Sequence, residues 1–284
     1  MPANSESRTS GPEFRSIAFV GGGNMARSLV GALLHGGAAP GAIAVSEPDA
    51  ALRRELASDF GIAVYENNAD AVRDAAIIVL AVKPQVMRAV CAEIAPALGD
   101  CRPLVISIAA GIRLEQLQRW LATGLPIVRA MPNTPALIGA GVSGLIANHT
   151  VDASQRAQAE AILAAAGETV WIDREDLMDT VTAVSGSGPA YFFLMVEALE
   201  DAAVTQGLPR PSARLLATRT CLGAGRMLTE GTDTPADLRK RVTSPGGTTQ
   251  AALDTFAAAD FRSLVTHVIE AATQRGRQLS DRLD

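Results

Sequence analysis

Up to about Asp173 the chain alternates short apolar runs with stretches of helical periodicity. Ile17 to Val20 is apolar, and three glycines follow it. Then come Met25, Leu29, Val30, Leu33 and Leu34 at helical spacing, so the segment reads strand, turn, helix. A second strand is predicted in AIAVSEP, then a helix over 50–60 that Gly61 stops. A strand over 63–65 and a short helix over 70–74 follow. AAIIVLAVKP reads as a strand buried on both faces, because its unbroken apolar run leaves no polar side for water. Helices over 85–97, 113–121 and 154–166 then alternate with strands in PLVISIAA, PIVRAMPNTPA, 141–147 and GETVWID. Such alternation predicts βαβ units and a doubly wound sheet. Beyond Asp173 strand-like runs stop. Helices are predicted over 189–206, 211–229, 235–242, from about 248, and over 261–279. The first of these is apolar around much of its circumference (Phe192, Phe193, Met195, Val196, Leu199, Val204). So wide a face needs more cover than the remaining helices offer, which predicts a homodimer with interleaved helices.

Composition narrows the class. Apolar residues make up 48 % and charged residues 19 %, enough for a large core and too apolar for general disorder. The formal net charge of −5 lacks the basic footprint of a nucleic-acid binder. Three cysteines and three histidines, none in C-x-x-C spacing, argue against a disulfide framework and a Cys/His metal site. A reducing, cytoplasmic setting is expected. The uncharged run over 130–151 is interrupted by prolines and glycines and reads as loop and short strand, not as a membrane span. Residues 1–14 are polar, lack an apolar centre, and read as a mobile leader and not a secretory signal.

Six strings carry the candidate chemistry. Gly21-Gly22-Gly23-Asn24-Met25-Ala26 fits G-x-G-x-x-A between a strand and a helix. There Gly21 permits the turn, Gly23 lets a pyrophosphate approach the backbone, and Ala26 packs helix on strand. The N-terminus of the following helix supplies N–H groups and a positive partial charge. At the end of the second strand stands Val45-Ser46-Glu47-Pro48. A carboxylate there bonds both ribose hydroxyls and favours NAD; Ser46, with Arg53 or Arg54, would instead receive a 2′-phosphate. The residues leave both options open, and a solvated turn residue is the plainer account of Glu47. Ala81-Val82-Lys83-Pro84 lies at a central strand end, where open α/β sheets bind ligands, although Lys83 also reads as a lysine reaching water. Arg129-Ala130-Met131-Pro132-Asn133-Thr134-Pro135 ends a strand in a stiff loop whose two prolines bracket two hydrogen-bonding side chains, suited to a carboxamide, or simply a turn. Ser185-Gly186-Ser187-Gly188-Pro189 opens the long helix, and capping alone would explain its hydroxyls. Val242-Thr243-Ser244-Pro245-Gly246-Gly247-Thr248-Thr249 is a hydroxyl-rich Gly-Gly loop that runs directly into a helix. Its unpartnered main-chain N–H groups make a receptor for a small carboxylate. No P-loop, H-E-x-x-H or G-x-S-x-G string occurs.

With GGGNMA, AVKPQ, AMPNTP, SGSGPAYFF and VTSPGGTT in this order, the chain resembles the pyrroline-5-carboxylate reductase family from about Ser16 onward. The resemblance implies reduction of L-1-pyrroline-5-carboxylate to L-proline with NADPH or NADH. It implies an α/β fold, with an N-terminal Rossmann-type doubly wound sheet (15–173) and an all-α dimerisation and substrate domain (174–284). Dimers of the family often assemble into decamers. Matching positions place Gly21, Gly23, Asn24 and Met25 at the pyrophosphate. They place Asn67 and Ala81, Val82, Lys83 and Pro84 along the ribose, and Ala110, Met131, Pro132 and Asn133 toward the nicotinamide. The substrate carboxylate would sit on Ser244, Gly246, Gly247, Thr248 and Thr249, with Thr249 near the ring nitrogen. Thr232-Asp233-Thr234-Pro235 departs from the Gly-Glu-His-Pro common in the family, and no role is assigned there. Two rivals share the opening motif. One is another imine or β-hydroxyacid oxidoreductase of this two-domain build, the other a non-catalytic dinucleotide-binding protein. A 6-phosphogluconate-type enzyme needs a lysine on the first long helix, and 189–206 contains none.

Overall fold

Six strands run parallel in the computed structural model, because a helix returns the chain between each and the next. The model describes residues 16–121 and 124–283, so the leader read over 1–14 lies outside the described residues. The strands are β1 (Ile17–Val20), β2 (Ile43–Ser46), β3 (Ala63–Tyr65), β4 (Ile77–Leu80), β5 (Leu104–Ser107) and β6 (Ile127–Met131). Their connections are α1 (Asn24–His35), α2 (Ala50–Phe60), α3 (Asn68–Val72), α4 (Pro84–Leu98) and α5 (Leu114–Trp120). Two further strands, β7 (Gly141–Ala147) and β8 (Gly167–Trp171), flank α6 (Ala153–Ala164). Among the described residues the sheet order is β3-β2-β1-β4-β5-β6-β7-β8. In register, Ile17 of β1 lies between Ile43 of β2 and Ile77 of β4.

β1, β4 and β5 are buried along their whole length, as runs with no polar face must be. One layer of core joins the sheet to α1, α2 and α6 through residues such as Phe19, Leu29, Leu33 and Ile162. The other joins it to α4 and α5 through Met87, Ile94 and Leu117. The α/β fold class read from the alternation is borne out. Its local details shift. α3 begins at Asn68, before the expected 70–74. The Pro-bracketed loop after β6 forms a short 3-10 turn (Thr134–Ile138) in place of a crossover helix, so β7 returns antiparallel to β6. The sequence reading also lacks α7 (Met178–Val181) and the π-turn Thr182–Gly186 that extends it.

By contacts the chain divides into two units. The first runs to Gly186 and regains the chain from Ala272; the second is Ser187–Ala271. The second unit holds α8 (Gly188–Thr205), α9 (Arg210–Glu230), α10 (Pro235–Arg241), α11 (Thr248–Ala258) and the start of α12 (Phe261–Asp281). Within it α8 and α9 pack together, and the buried Glu200 of α8 pairs with Arg210 and Arg214 of α9 at 3.0 and 3.1 Å. Among the described residues its buried apolar side chains are Ala213 and Ala217 alone, while Phe192 and Phe193 are 65 % and 68 % exposed. A concavity of about 1010 Å³ lies against Met195, Leu199, Leu253, Phe256, Phe261 and Val265. No helix among the described residues is long and apolar enough to cross a membrane.

Candidate active site

Because β1 to β6 are parallel, their C-terminal ends share one edge of the sheet, and nearly every candidate in the first unit falls on it. Gly21 leaves β1 at φ +99°, a conformation that side chains rarely adopt. Its N–H donates to the Ser46 carbonyl at 2.9 Å, and Ala81 N–H donates to Val20 at 2.8 Å. A Cβ at Gly21 would meet the Ala81 carbonyl at 2.9 Å. Gly23, by contrast, is exposed, with open space where its Cβ would stand, and it begins α1 without a side-chain cap. The first-turn N–H groups of α1 therefore face outward, and Asn24 beside them is exposed. This cradle fits a pyrophosphate: backbone donors, a helix N-terminus, and no side chain in the way.

Gly21→Val tests the cradle. Strain at that φ and the clash with Ala81 push the turn off β4, and losing charge-assisted main-chain bonds of ~1.5–3 kcal/mol weakens nucleotide binding about 10- to 200-fold. Fluorescence titration with reduced nicotinamide nucleotide measures it. Unchanged affinity would show that the turn does not hold the pyrophosphate.

The end of β2 is built differently from either option its sequence left open. Ser46 is fully buried, and its hydroxyl donates to Asn68 Oδ1 at 2.8 Å. It does not reach the mouth of the site, which corrects its place among the cofactor residues; the β-strand alternation turns it toward α3. Glu47, the next residue, is the one at the glycine turn. Its carboxylate accepts from Gly22 N–H and from Asp49 N–H, each at 3.0 Å. Asn67 is exposed at the start of α3. Ala81 and Val82 are half-buried at the end of β4, and exposed Lys83 leads into Pro84, the first residue of α4. Ala110 is exposed beyond β5.

At the end of β6 Met131 is half-buried, and Pro132 and Asn133 are buried. The Asn133 amide is used within the fold. Its Oδ1 accepts from Val142 N–H at 2.9 Å and its Nδ2 donates to the Ser185 carbonyl at 3.1 Å. It thus ties the turn after β6 both to β7 and to the π-turn. Four residues before Asn133, Arg129 is a cation inside an otherwise apolar strand, 4 % exposed. It pairs with Glu175 at 3.0 Å and lies 3.9 Å from Asp179. Glu175 also accepts from Leu114 N–H at 2.8 Å. Burial pushes the Asp179 carboxyl above the usual carboxylate range, opposed by Arg129, Arg113 and Arg277. The sequence reading missed this cluster. Its signal was the arginine itself, since a charge in a buried strand needs a partner.

The second unit carries the carboxylate-receptor candidate. Ser244-Pro245-Gly246-Gly247 closes a β-turn, with Gly247 N–H donating to the Ser244 carbonyl at 3.0 Å. Pro245 then Gly246 at φ +72° is the pairing a type II turn requires. Gly247 begins α11 without a side-chain cap. Ser244, Gly246 and Thr248 are exposed and Thr249 is half-buried. The hydroxyls of Ser244, Thr248 and Thr249 donate to no other described residue. The loop therefore presents main-chain donors at a helix N-terminus beside three free hydroxyls, a set that suits a carboxylate.

Comparison with known proteins follows this division. Residues 175–279 match the family model described as pyrroline-5-carboxylate reductase dimerisation. Residues 16–111 match the model described as NADP oxidoreductase, coenzyme F420-dependent. A pyrroline-5-carboxylate reductase of Pseudomonas aeruginosa is 50 % identical over 267 residues, covering 94 % of this chain and 97 % of that protein. Among solved structures, a pyrroline-5-carboxylate reductase from Coxiella burnetii superposes with TM-score 0.91 at 40 % identity, covering 94 % of this chain and 99 % of the other. The Plasmodium falciparum pyrroline carboxylate reductase solved with NADP bound gives 0.83 at 29 % identity, covering 95 % and 100 %. The dimerisation match and the uncovered apolar helices of the second unit agree that this unit self-associates. The chain belongs to the pyrroline-5-carboxylate reductase family.

Proposed function

We propose that the chain reduces L-1-pyrroline-5-carboxylate to L-proline with NAD(P)H, the last step of proline synthesis. What carries the reading is the combination of an open glycine cradle at α1 with an uncapped, hydroxyl-lined Gly-Gly turn at α11, in a chain half identical to a reductase of this name. The turn holds the substrate carboxylate on the N–H groups that begin α11 and on Ser244 and Thr248. That anchor fixes the five-membered ring. The Thr249 hydroxyl bonds the ring nitrogen, orients it and keeps its proton in place. Gly21, Gly23, Asn24 and Met25 take the pyrophosphate, Asn67 and Ala81 to Pro84 border the ribose, and Ala110, Met131 and Pro132 border the nicotinamide. Asn133 holds that border in position through Val142 and Ser185.

When bound, the reduced nicotinamide supplies the hydride. The imine carbon accepts it, the C=N π bond becomes the nitrogen lone pair of the amine, and that nitrogen keeps its proton. An iminium is already a good acceptor, so positioning is what the protein must add. This accounts for a site without a His/Asp pair. The working form is a homodimer, with the decamer as its higher assembly, in the cytoplasm, and nucleic acid and membrane play no part. The apolar faces of α8 and the dimerisation match support the dimer. The test is NAD(P)H consumption with pyrroline-5-carboxylate as acceptor, alongside sedimentation of the full chain. Proline should accumulate in step with nucleotide oxidation. Nucleotide binding without turnover would favour a non-catalytic dinucleotide-binding protein.

A further inference from the structure

We infer that Glu47 makes this chain selective for NADH over NADPH, a deepening that rests on reading the β1–β2 edge as the nucleotide site. Glu47 directly follows β2, where this fold places the adenosine ribose. Its two carboxylate oxygens each accept one main-chain N–H, from Gly22 and from Asp49, both at 3.0 Å. Those bonds fix the carboxylate against the glycine turn. Each oxygen retains a second acceptor direction, enough for the 2′- and 3′-hydroxyls of a ribose. A 2′-phosphate in that place would set two negative groups together in a half-buried position.

Two of the three groups able to offset that repulsion, Ser46 and Arg53, are committed elsewhere. Ser46 is buried and donates to Asn68. Arg53 Nη1 donates to the carbonyls of Glu47 and Pro48, both at 2.7 Å, and its Nη2 pairs with Glu66 at 3.0 Å. Asp49 adds a further carboxylate at the rim. It caps α2 by accepting from Ala51 and Leu52 N–H, which hold it below the usual carboxylate range. Arg54 is exposed one residue further along α2 and is the competing receiver for a phosphate. The rim of Glu47, Asp49 and Glu66 thus outweighs the one arginine bound into it.

Calorimetric titration of the full chain with NAD⁺ and NADP⁺ tests this without relying on turnover. NAD⁺ should bind at least about tenfold more tightly, the scale set by bringing like charges together. Glu47→Gln, which keeps the shape and one of the two acceptors, should reduce that ratio to near unity, with a single cooperative melting transition as the control for folding. Arg54→Ala should leave NADP⁺ affinity as it was. Equal or tighter binding of NADP⁺ by the wild type, or a ratio unmoved in Glu47→Gln, overturns the assignment. So does a tenfold loss of NADP⁺ affinity in Arg54→Ala. Binding of neither nucleotide overturns both this and the nucleotide site. Selective binding of NAD⁺ without reduction of pyrroline-5-carboxylate would leave the assignment standing and remove only the proposed substrate.

Discussion

Thr249→Val is expected to lower kcat about 10- to 1000-fold, taking the lost hydrogen bond to the ring nitrogen as ~1.5–4 kcal/mol at tenfold per 1.36 kcal/mol. Valine keeps the branched shape of threonine at the second position of α11, and the hydroxyl it removes, whose oxygen would accept the ring N–H, has no hydrogen-bond partner among the described residues. The loop should therefore keep its fold, and the carboxylate anchor with it. The signature is a fall in kcat while inhibition by saturated cyclic carboxylates stays near the wild-type value. Steady-state kinetics with varied pyrroline-5-carboxylate reads both. A variant with wild-type kcat would remove Thr249 from the chemistry and leave the carboxylate anchor intact as a separate claim.

The second large effect concerns stability. Arg129→Met should cost about 3–5 kcal/mol, because it leaves Asp179 and Glu175 partly buried without their shared cation, whereas methionine supplies only volume. At roughly 2–4 °C per kcal/mol for a domain of this size, the melting temperature falls by about 6–20 °C near pH 7.5. The pH dependence gives the mechanism. Burial already raises the Asp179 carboxyl above 3.8, and Arg129 is the largest of the charges pulling it back; Arg113 and Arg277 assist, and Asp281 opposes them. Without Arg129 the folded-state value rises further. Between 3.8 and that raised value the folded chain holds a proton that the unfolded chain has released, so acidification favours folding relative to the wild type. The deficit should thus be largest at neutral pH and shrink as pH falls toward 5. Melting curves across that range decide it, and a deficit that grows on acidification would rule out Asp179 as its source.

The stretches that could be read from sequence are those whose cause is local. The run Ile17–Val20, the turn at Gly21 and the periodic α1 are legible because each residue's requirement is met within a few neighbours. The same holds for Ser244 to Thr249: Pro then Gly specifies the turn, and Gly247 leaves the helix uncapped. The strand-end placement of the candidate residues was legible for a related reason. Parallel strands put all their C-terminal ends on one edge, whatever their order in the sheet.

Polar partners were not legible. Ser46 and Glu47 are adjacent and both hydrogen-bonding, and only the pleat decided that the first turns inward to Asn68 and the second bonds the glycine turn. Asn133 read as a group offered to a ligand, yet its partners lie at Val142 and Ser185, the latter across a π-turn the sequence did not announce. The direction of β7 followed from the lack of a helix between it and β6.

The sequence alone determined the alternation of strands and helices up to β8, the glycine turn after β1, the Gly-Gly turn and the excess apolar surface of the second unit. Periodicity and turn chemistry are satisfied over short spans. The tertiary structure alone decided which hydroxyl is spent, which carboxylate bonds the glycine turn, and where the buried charge of Arg129 finds its counterions. Hydrogen bonds and ion pairs depend on ångström distances between residues far apart in the chain, and only packing sets those.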